Sequence, residues 1–188
     1  MCRYKSPARH GWGFLNKITM VNYNAVIDVN SPDDDVTEPV DLSEAKEFCK
    51  IDISTDDNLL TSLITAARQQ CEAYTGVSFV QRTFYSTLNN SNGGIYFPYG
   101  PVSEIFAVED YDENEIEDYK LEGILFKRIL SPKLDFIYVE YTGGYEVLPQ
   151  SLITALLNQI YYLYDNRSQG VDDISPIAKM ILNPYRRV

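Results

Sequence analysis

Seven carboxylates crowd residues 109–118: Glu109, Asp110, Asp112, Glu113, Glu115, Glu117 and Asp118. Paired acids of this kind can hold Mg²⁺ or Ca²⁺ through hard oxygen ligands. The run lacks the calcium-loop pattern, with no Gly at the sixth position and no fitting Glu at the twelfth. Its density of like charge instead predicts a solvated hairpin tip. The three cysteines, Cys2, Cys49 and Cys71, form no CxxC pair and are odd in number, so the expectation is an intracellular chain without a disulfide framework. No histidine lies near Cys49 or Cys71 to activate them, and both are expected to act as small buried hydrophobes. His10 is the single histidine, which excludes a multi-histidine metal site. No GxSxG, phosphate loop, HExxH or dinucleotide fingerprint occurs. General acid–base work by carboxylates needs two of them in a cleft, and nothing in their spacing puts them there. No catalytic, cofactor-binding or metal residue is assigned.

The chain has 188 residues and a formal net charge of −11. A chain of this size can bury about 70% of its unfolded surface and needs no staple. The acidic balance argues against general affinity for DNA phosphates. No apolar run approaches the roughly 20 residues of a membrane span, and no secretory h-region is visible. The 15 tyrosines offer apolar area with a polar tip, suited to interfaces as well as cores.

The positioning elements follow from periodicity. Residues 149–167 carry the strongest helix signal. Pro149 sits at the start, where its missing N–H is spared, and Ile153, Leu156, Leu157, Ile160, Tyr161 and Tyr164 fall on one face. Leu152, Ala155 and Leu163 widen that stripe beyond one packing partner, as for a helix deep in a core or shared with another subunit. Asp165, Asn166 and Arg167 end it. Ahead of it, Gly143-Gly144 makes a turn.

Asp41-Leu42-Ser43-Glu44 has capping-box spacing and predicts a short helix. Ser54-Thr55-Asp56-Asp57 predicts the cap of a longer one. Its face is Leu60, Leu63, Ile64, Ala67, Cys71 and Tyr74, and Gly76 stops it. Between 79 and 145 the pattern turns to β, with strands expected at 79–88, 95–97, 102–108, 116–121, 124–130 and 136–142. Pro98 and Pro101 keep the second of these at an edge. Ser175 and Pro176 open a last helix with Ile177, Met180 and Ile181 on its face, and Tyr185-Arg186-Arg187 forms a basic tail.

Residues 1–40 differ. Arg3, Lys5, Arg9 and Lys17 make the first 20 residues basic, an aromatic-glycine cluster holds Trp12 and Phe14, and residues 23–29 could form a strand. This is a flexible terminus, an arm docking on a neighbouring subunit through Trp12 and Phe14, or an arm touching DNA. The fold class expected is α+β. A helical core of three to four helices from both chain ends (41–76 and 149–188) carries an inserted small antiparallel β region (79–145), with 1–40 as an extension.

The order of these pieces resembles the phage head–tail connector family, also called head-completion or adaptor proteins. The resemblance rests on Leu42-Ser43-Glu44-Ala45-Lys46 with Ile51-Asp52 and Glu72-Ala73-Tyr74-Thr75-Gly76. It continues with Pro101-Val102, Tyr141-Thr142-Gly143-Gly144-Tyr145, Pro149, 164–167 and Pro184-Tyr185-Arg186. It covers about residues 41–187; the extension, the acidic hairpin and the short linker after Arg167 depart from it. The resemblance implies a structural virion protein, made in the host cytoplasm, that forms a homo-oligomeric ring, generally dodecameric. The ring sits between the portal protein and the tail, stopper or other neck proteins. DNA passes through without sequence-specific binding, and no membrane or cofactor takes part. Subunit and portal contacts would then draw on Trp12, Phe14, Tyr161, Tyr162, Tyr164, Arg167, Tyr185, Arg186 and Arg187. The acids Asp110, Asp112, Glu113 and Glu115 would face the channel and repel phosphates. Two other readings are a different protein-binding module acting through the apolar helix and a carboxylate-dependent, metal-using nuclease.

Overall fold

The computed structural model describes residues 26–30, 36–89, 94–110, 112–132, 137–167 and 173–186. Helix α1 spans Leu42–Cys49, with the capping box formed: the Glu44 amide donates to Asp41 at 2.8 Å and the Glu44 carboxylate answers the Asp41 amide. Helix α2 spans Asp57–Thr75 and ends on Gly76 at φ 70, a left-handed conformation that glycine takes without Cβ strain. Helix α3 spans Gln150–Asp165 and α4 spans Pro176–Leu182, followed by a 3₁₀ turn at Asn183–Tyr185. The helices pack on one another around Leu60, Ile64, Ala67, Leu152, Leu156 and Ile160, all buried.

Two sequence expectations about these helices change. Asp56 does not cap α2 with its side chain; its carboxylate accepts the Tyr164 hydroxyl at 2.6 Å instead. A residue 108 positions away has taken the acceptor, which local spacing cannot reveal. The inward stripe of α3 is also rotated. The buried set is Leu152, Ala155, Leu156, Gln159, Ile160 and Leu163, while Ile153, Leu157 and Tyr164 are half-buried at its margin. The rotation is paid for by Gln159. Its amide N–H₂ donates to Gln70 Oε1 at 2.7 Å and to the Asp173 carbonyl at 3.1 Å, and its Oε1 accepts the Ser175 amide at 2.7 Å. A buried amide is tolerated when so bonded.

The β region forms two antiparallel sheets. The larger runs β1(Val26–Asn30)–β2(Arg82–Leu88)–β7(Ile137–Gly143)–β4(Val102–Glu109); the smaller runs β3(Gly94–Tyr96)–β6(Arg128–Leu130)–β5(Lys120–Glu122). Alternation in β2 and β7 sends Phe84, Leu88, Ile137, Val139 and Tyr141 inward, against Ile95 and Ile129 of the smaller sheet. Phe84 stacks on Tyr99 at 4.9 Å and on Tyr141 at 5.3 Å, and Phe97 meets Tyr141 edge-on at 4.8 Å. Such ring pairs add to plain area burial. The edge position expected for the 95–97 strand is found, whereas the strands expected at 116–121 and 124–130 shrink to three residues each. Gly144 takes φ 106, and a Cβ there would run into the Val80 carbonyl, so the turn before α3 requires glycine.

A buried ionic knot joins the two parts. Glu72 on α2 accepts the Phe79 amide at 2.7 Å through Oε1, and Oε2 receives Arg68 at 3.1 Å and Arg82 of β2 at 2.7 Å. Arg68 also donates to Glu38 at 2.9 Å. This explains why β2 starts at Arg82 and not at residue 79: Ser78 and Phe79 are spent on Glu72. Cys71, beside the knot, is fully buried, and burial, with the Glu72 charge behind it, pushes its thiol up to about 12. Cys49 is half-buried, and burial raises its pKa too.

Candidate assembly interface

The helical side presents the C-terminal residues already bonded to the core. The Tyr74 hydroxyl donates to Asn183 at 2.6 Å, and Arg186 and Lys179 lie over its ring at 5.1 and 5.9 Å. Cations over an aromatic face are attracted by its quadrupole. Tyr185 and Ser151 share a hydroxyl hydrogen bond of 2.7 Å. Tyr185 and Arg186 are therefore held against α2 and α3; Arg187 lies outside the described residues. At the other end of α3, Arg167 sits 4.4 Å over the Tyr164 ring and donates to the Tyr164 carbonyl at 3.2 Å. The bond to Asp56 raises the Tyr164 pKa. Tyr162 is half-buried, and Tyr161 is 46% exposed on the outer face of α3. Trp12 and Phe14 lie outside the described residues.

Three exposed apolar residues, Ile177, Met180 and Val147, were not among the expected contact residues. On α4 the buried residues are Ala178 and Leu182, so the expected inward face of Ile177, Met180 and Ile181 is corrected. Ile181 is half-buried, while Ile177 and Met180 stand 54% and 69% exposed. A helix this short leaves the choice of face to its docking partner. The Ser175 cap, held by Gln159, fixes that choice. Val147 is 82% exposed at the rim of a groove of about 680 Å³. Phe79, Tyr145, Leu148 and Ile153 line its floor, and Glu38 and Glu146 lie along it. Unlike the Tyr cluster, Val147 carried no periodic signal.

The acidic run closes a hairpin beyond β4, with Glu109 bridging Glu115. Asp110 organises the tip: its carboxylate accepts the Asp112 and Asn114 amides, each at 2.9 Å, and the Asn114 side chain at 3.0 Å. The side-chain and backbone bonds from Asn114 hold the Asp110 pKa below its ordinary value. Asp112, Glu113, Glu115, Glu117 and Asp118 are exposed to solvent, as the hairpin-tip reading requires. Among the described residues no group of three or more His, Cys, Asp or Glu is arranged to hold a metal ion.

Residues 39–126 match the family model described as phage gp6-like head-tail connector protein. That stretch is similar to the head–tail connector family. No curated protein sequence matches the chain. Among solved structures, the fold is similar to chains of gene transfer agent (GTA) particles. A chain in the neck of the empty GTA particle, computed with C6 symmetry, aligns at TM-score 0.69 and 18% identity, covering 86% of this chain and 96% of that one. A chain of the native GTA virion aligns at TM-score 0.68 and 18% identity, covering 85% and 95%. A chain in the neck of the native GTA particle, computed with C12 symmetry, aligns at TM-score 0.63 and 19% identity, covering 86% and 96%.

The connector match takes in α1, α2, the knot residues Arg68, Glu72 and Arg82, and the hairpin. It stops before α3 and α4, whereas the structural likeness extends over most of the chain. The chain thus combines two unlike surfaces. One is an apolar and tyrosine-bearing helical side, with Tyr161, Ile177 and Met180 outward. The other is an acidic β tip.

Proposed function

We propose that this chain is a structural protein of a virion neck. It forms a closed ring, docks on the portal protein, links the capsid to the tail through stopper or other neck proteins, and lines part of the channel through which DNA passes. The observation that carries this reading is the shared fold with neck chains over nearly their whole length, joined to the connector-family match. Cyclic assembly needs two different complementary patches on each subunit. The outward side chains of α3 and α4 and the groove beside Val147 supply unlike patches. The sixfold and twelvefold symmetry of the neck structures favours twelve subunits per ring. Tyr161 and Tyr162 then serve subunit contact; Tyr164, Arg167, Tyr185 and Arg186 stiffen the helical edge that makes it; Arg187 extends it. Asp110, Asp112, Glu113 and Glu115 line the lumen, where like charge keeps phosphates from sticking. The chain catalyses nothing in this role.

Imaging the protein mixed with its portal, with light scattering of the same mixture, tests this. The expected result is a twelvefold ring seated on the portal. A monomer or dimer both with and without portal overturns the neck reading in favour of a binding module. A ring with a basic lumen overturns the assignment of the hairpin acids.

A further inference from the structure

Charge is divided unevenly along the chain. The first 27 residues hold four of its 16 Lys and Arg and none of its 27 Asp and Glu, as well as its single tryptophan. The four-stranded sheet has a side that its core does not use. On that outer side, cross-strand rows run Thr87–Tyr138–Glu109 and Tyr85–Glu140–Ala107. Tyr85, Tyr138, Glu109, Glu140 and Ala107 line a shallow cavity of about 290 Å³. Its lining holds two phenol rings and two carboxylates, and the Tyr85 hydroxyl is hydrogen-bonded to Glu140. Strand β1 joins the two features. Val26 pairs with Leu88 and Asp28 with Thr87, so the chain before Val26 leaves the sheet beside the row that ends at Glu109. From β1 to β4 is three strand spacings, about 14 Å. The 14 residues from Trp12 to Val26 span up to about 46 Å when extended.

We propose that the outer face of the four-stranded sheet is the seat of the chain's own residues 9–17, folded back in cis. Trp12 and Phe14 lie against Tyr85 and Tyr138, and Arg9 and Lys17 face Glu109 and Glu140. The short tether holds the segment near its seat at an effective concentration of order millimolar, so the contact forms within one molecule without assembly. It does not depend on the neck reading.

Trp12, as the single tryptophan, reports on the seat in the full chain. Acrylamide quenching of its fluorescence is measured for the wild type, for E109K/E140K, for R9E/K17E and for the four changes combined, with far-UV circular dichroism as the folding control. The expected result is a quenching constant several-fold lower in the wild type than in either reversal, largely recovered when the charges are swapped together, and unchanged on dilution. Should E109K/E140K unfold, R9E/K17E carries the comparison, since its changes lie before β1. Equal quenching in the wild type and R9E/K17E overturns the proposal. Protection lost on dilution overturns it too, because the seat would then belong to a neighbouring copy.

Discussion

The helical half and the β half close their cores by different means. The helical half buries polar groups among its aliphatic residues and satisfies them through long-range bonds: Gln159 to Gln70, Asp173 and Ser175, and Glu72 to Arg68 and Arg82. The β half closes on stacked rings, Phe84, Tyr99, Tyr141 and Phe97, and sends its charge out to a solvated tip. Buried polar networks tie elements into one arrangement, because a half-made network is costly. The difference assigns fixed relative placement to the helices and local freedom to the hairpin, with Glu72 as the point where one half is locked to the other.

Glu72→Ala should break the comparison most severely. It strips two buried guanidiniums of their shared carboxylate and leaves the Phe79 amide without its acceptor. Breaking a buried pair on one side costs about 3–5 kcal/mol. Urea unfolding followed by far-UV dichroism for the helices and near-UV tyrosine dichroism for the rings should show a lowered midpoint. The two probes, coincident in the wild type, should separate as the halves uncouple. Coincident curves with an unchanged midpoint would mean that the knot does not join them.

Gln159→Ala should act within the helical half. It leaves the buried Ser175 amide without an acceptor at the start of α4, a loss of about 1–3 kcal/mol. Hydrogen exchange should quicken along Pro176–Leu182 and stay unchanged in Ile137–Gly143. Equal acceleration in both would make the bond part of a global rather than a helical network.

The same contrast explains what the sequence made legible. Some local signals held: the Asp41–Glu44 box forms, Gly76 is left-handed, and the hairpin tip is solvated, whereas the Asp56 cap did not. The helix faces were not, because apolar periodicity has no place for a buried Gln159 or for the choice between Ile177 and Ala178. Both were decided by partners at least 14 positions away. Of the knot, only Arg68 and Glu72 stand at helical spacing; Glu38 and Arg82 reach them through the tertiary fold. Among the surface candidates, spacing placed Tyr161 on the apolar stripe of α3 and the structure exposes it; the exposure of Val147 and Met180 likewise depends on how α3 and α4 dock.

The smallest effect is expected at the hairpin, where Asp110 binds only its own loop. Asp110→Ala removes the acceptor for the Asp112 and Asn114 amides yet touches neither core, so the thermal midpoint should not move measurably while those two amides lose protection. Acid does the same without mutation. The folded pKa of Asp110 lies below its ordinary value of 3.8, so the loop's stabilisation is complete above that value and is lost as pH falls through the lower, folded one. An NMR titration should show the Asp110 carboxyl protonating below 3.8, together with shifts of the Asp112 and Asn114 amides and none in Leu156 or Tyr141. A thermal midpoint that falls with Asp110→Ala would instead couple the tip to the cores, and the division between a fixed helical half and a locally free β tip would not hold.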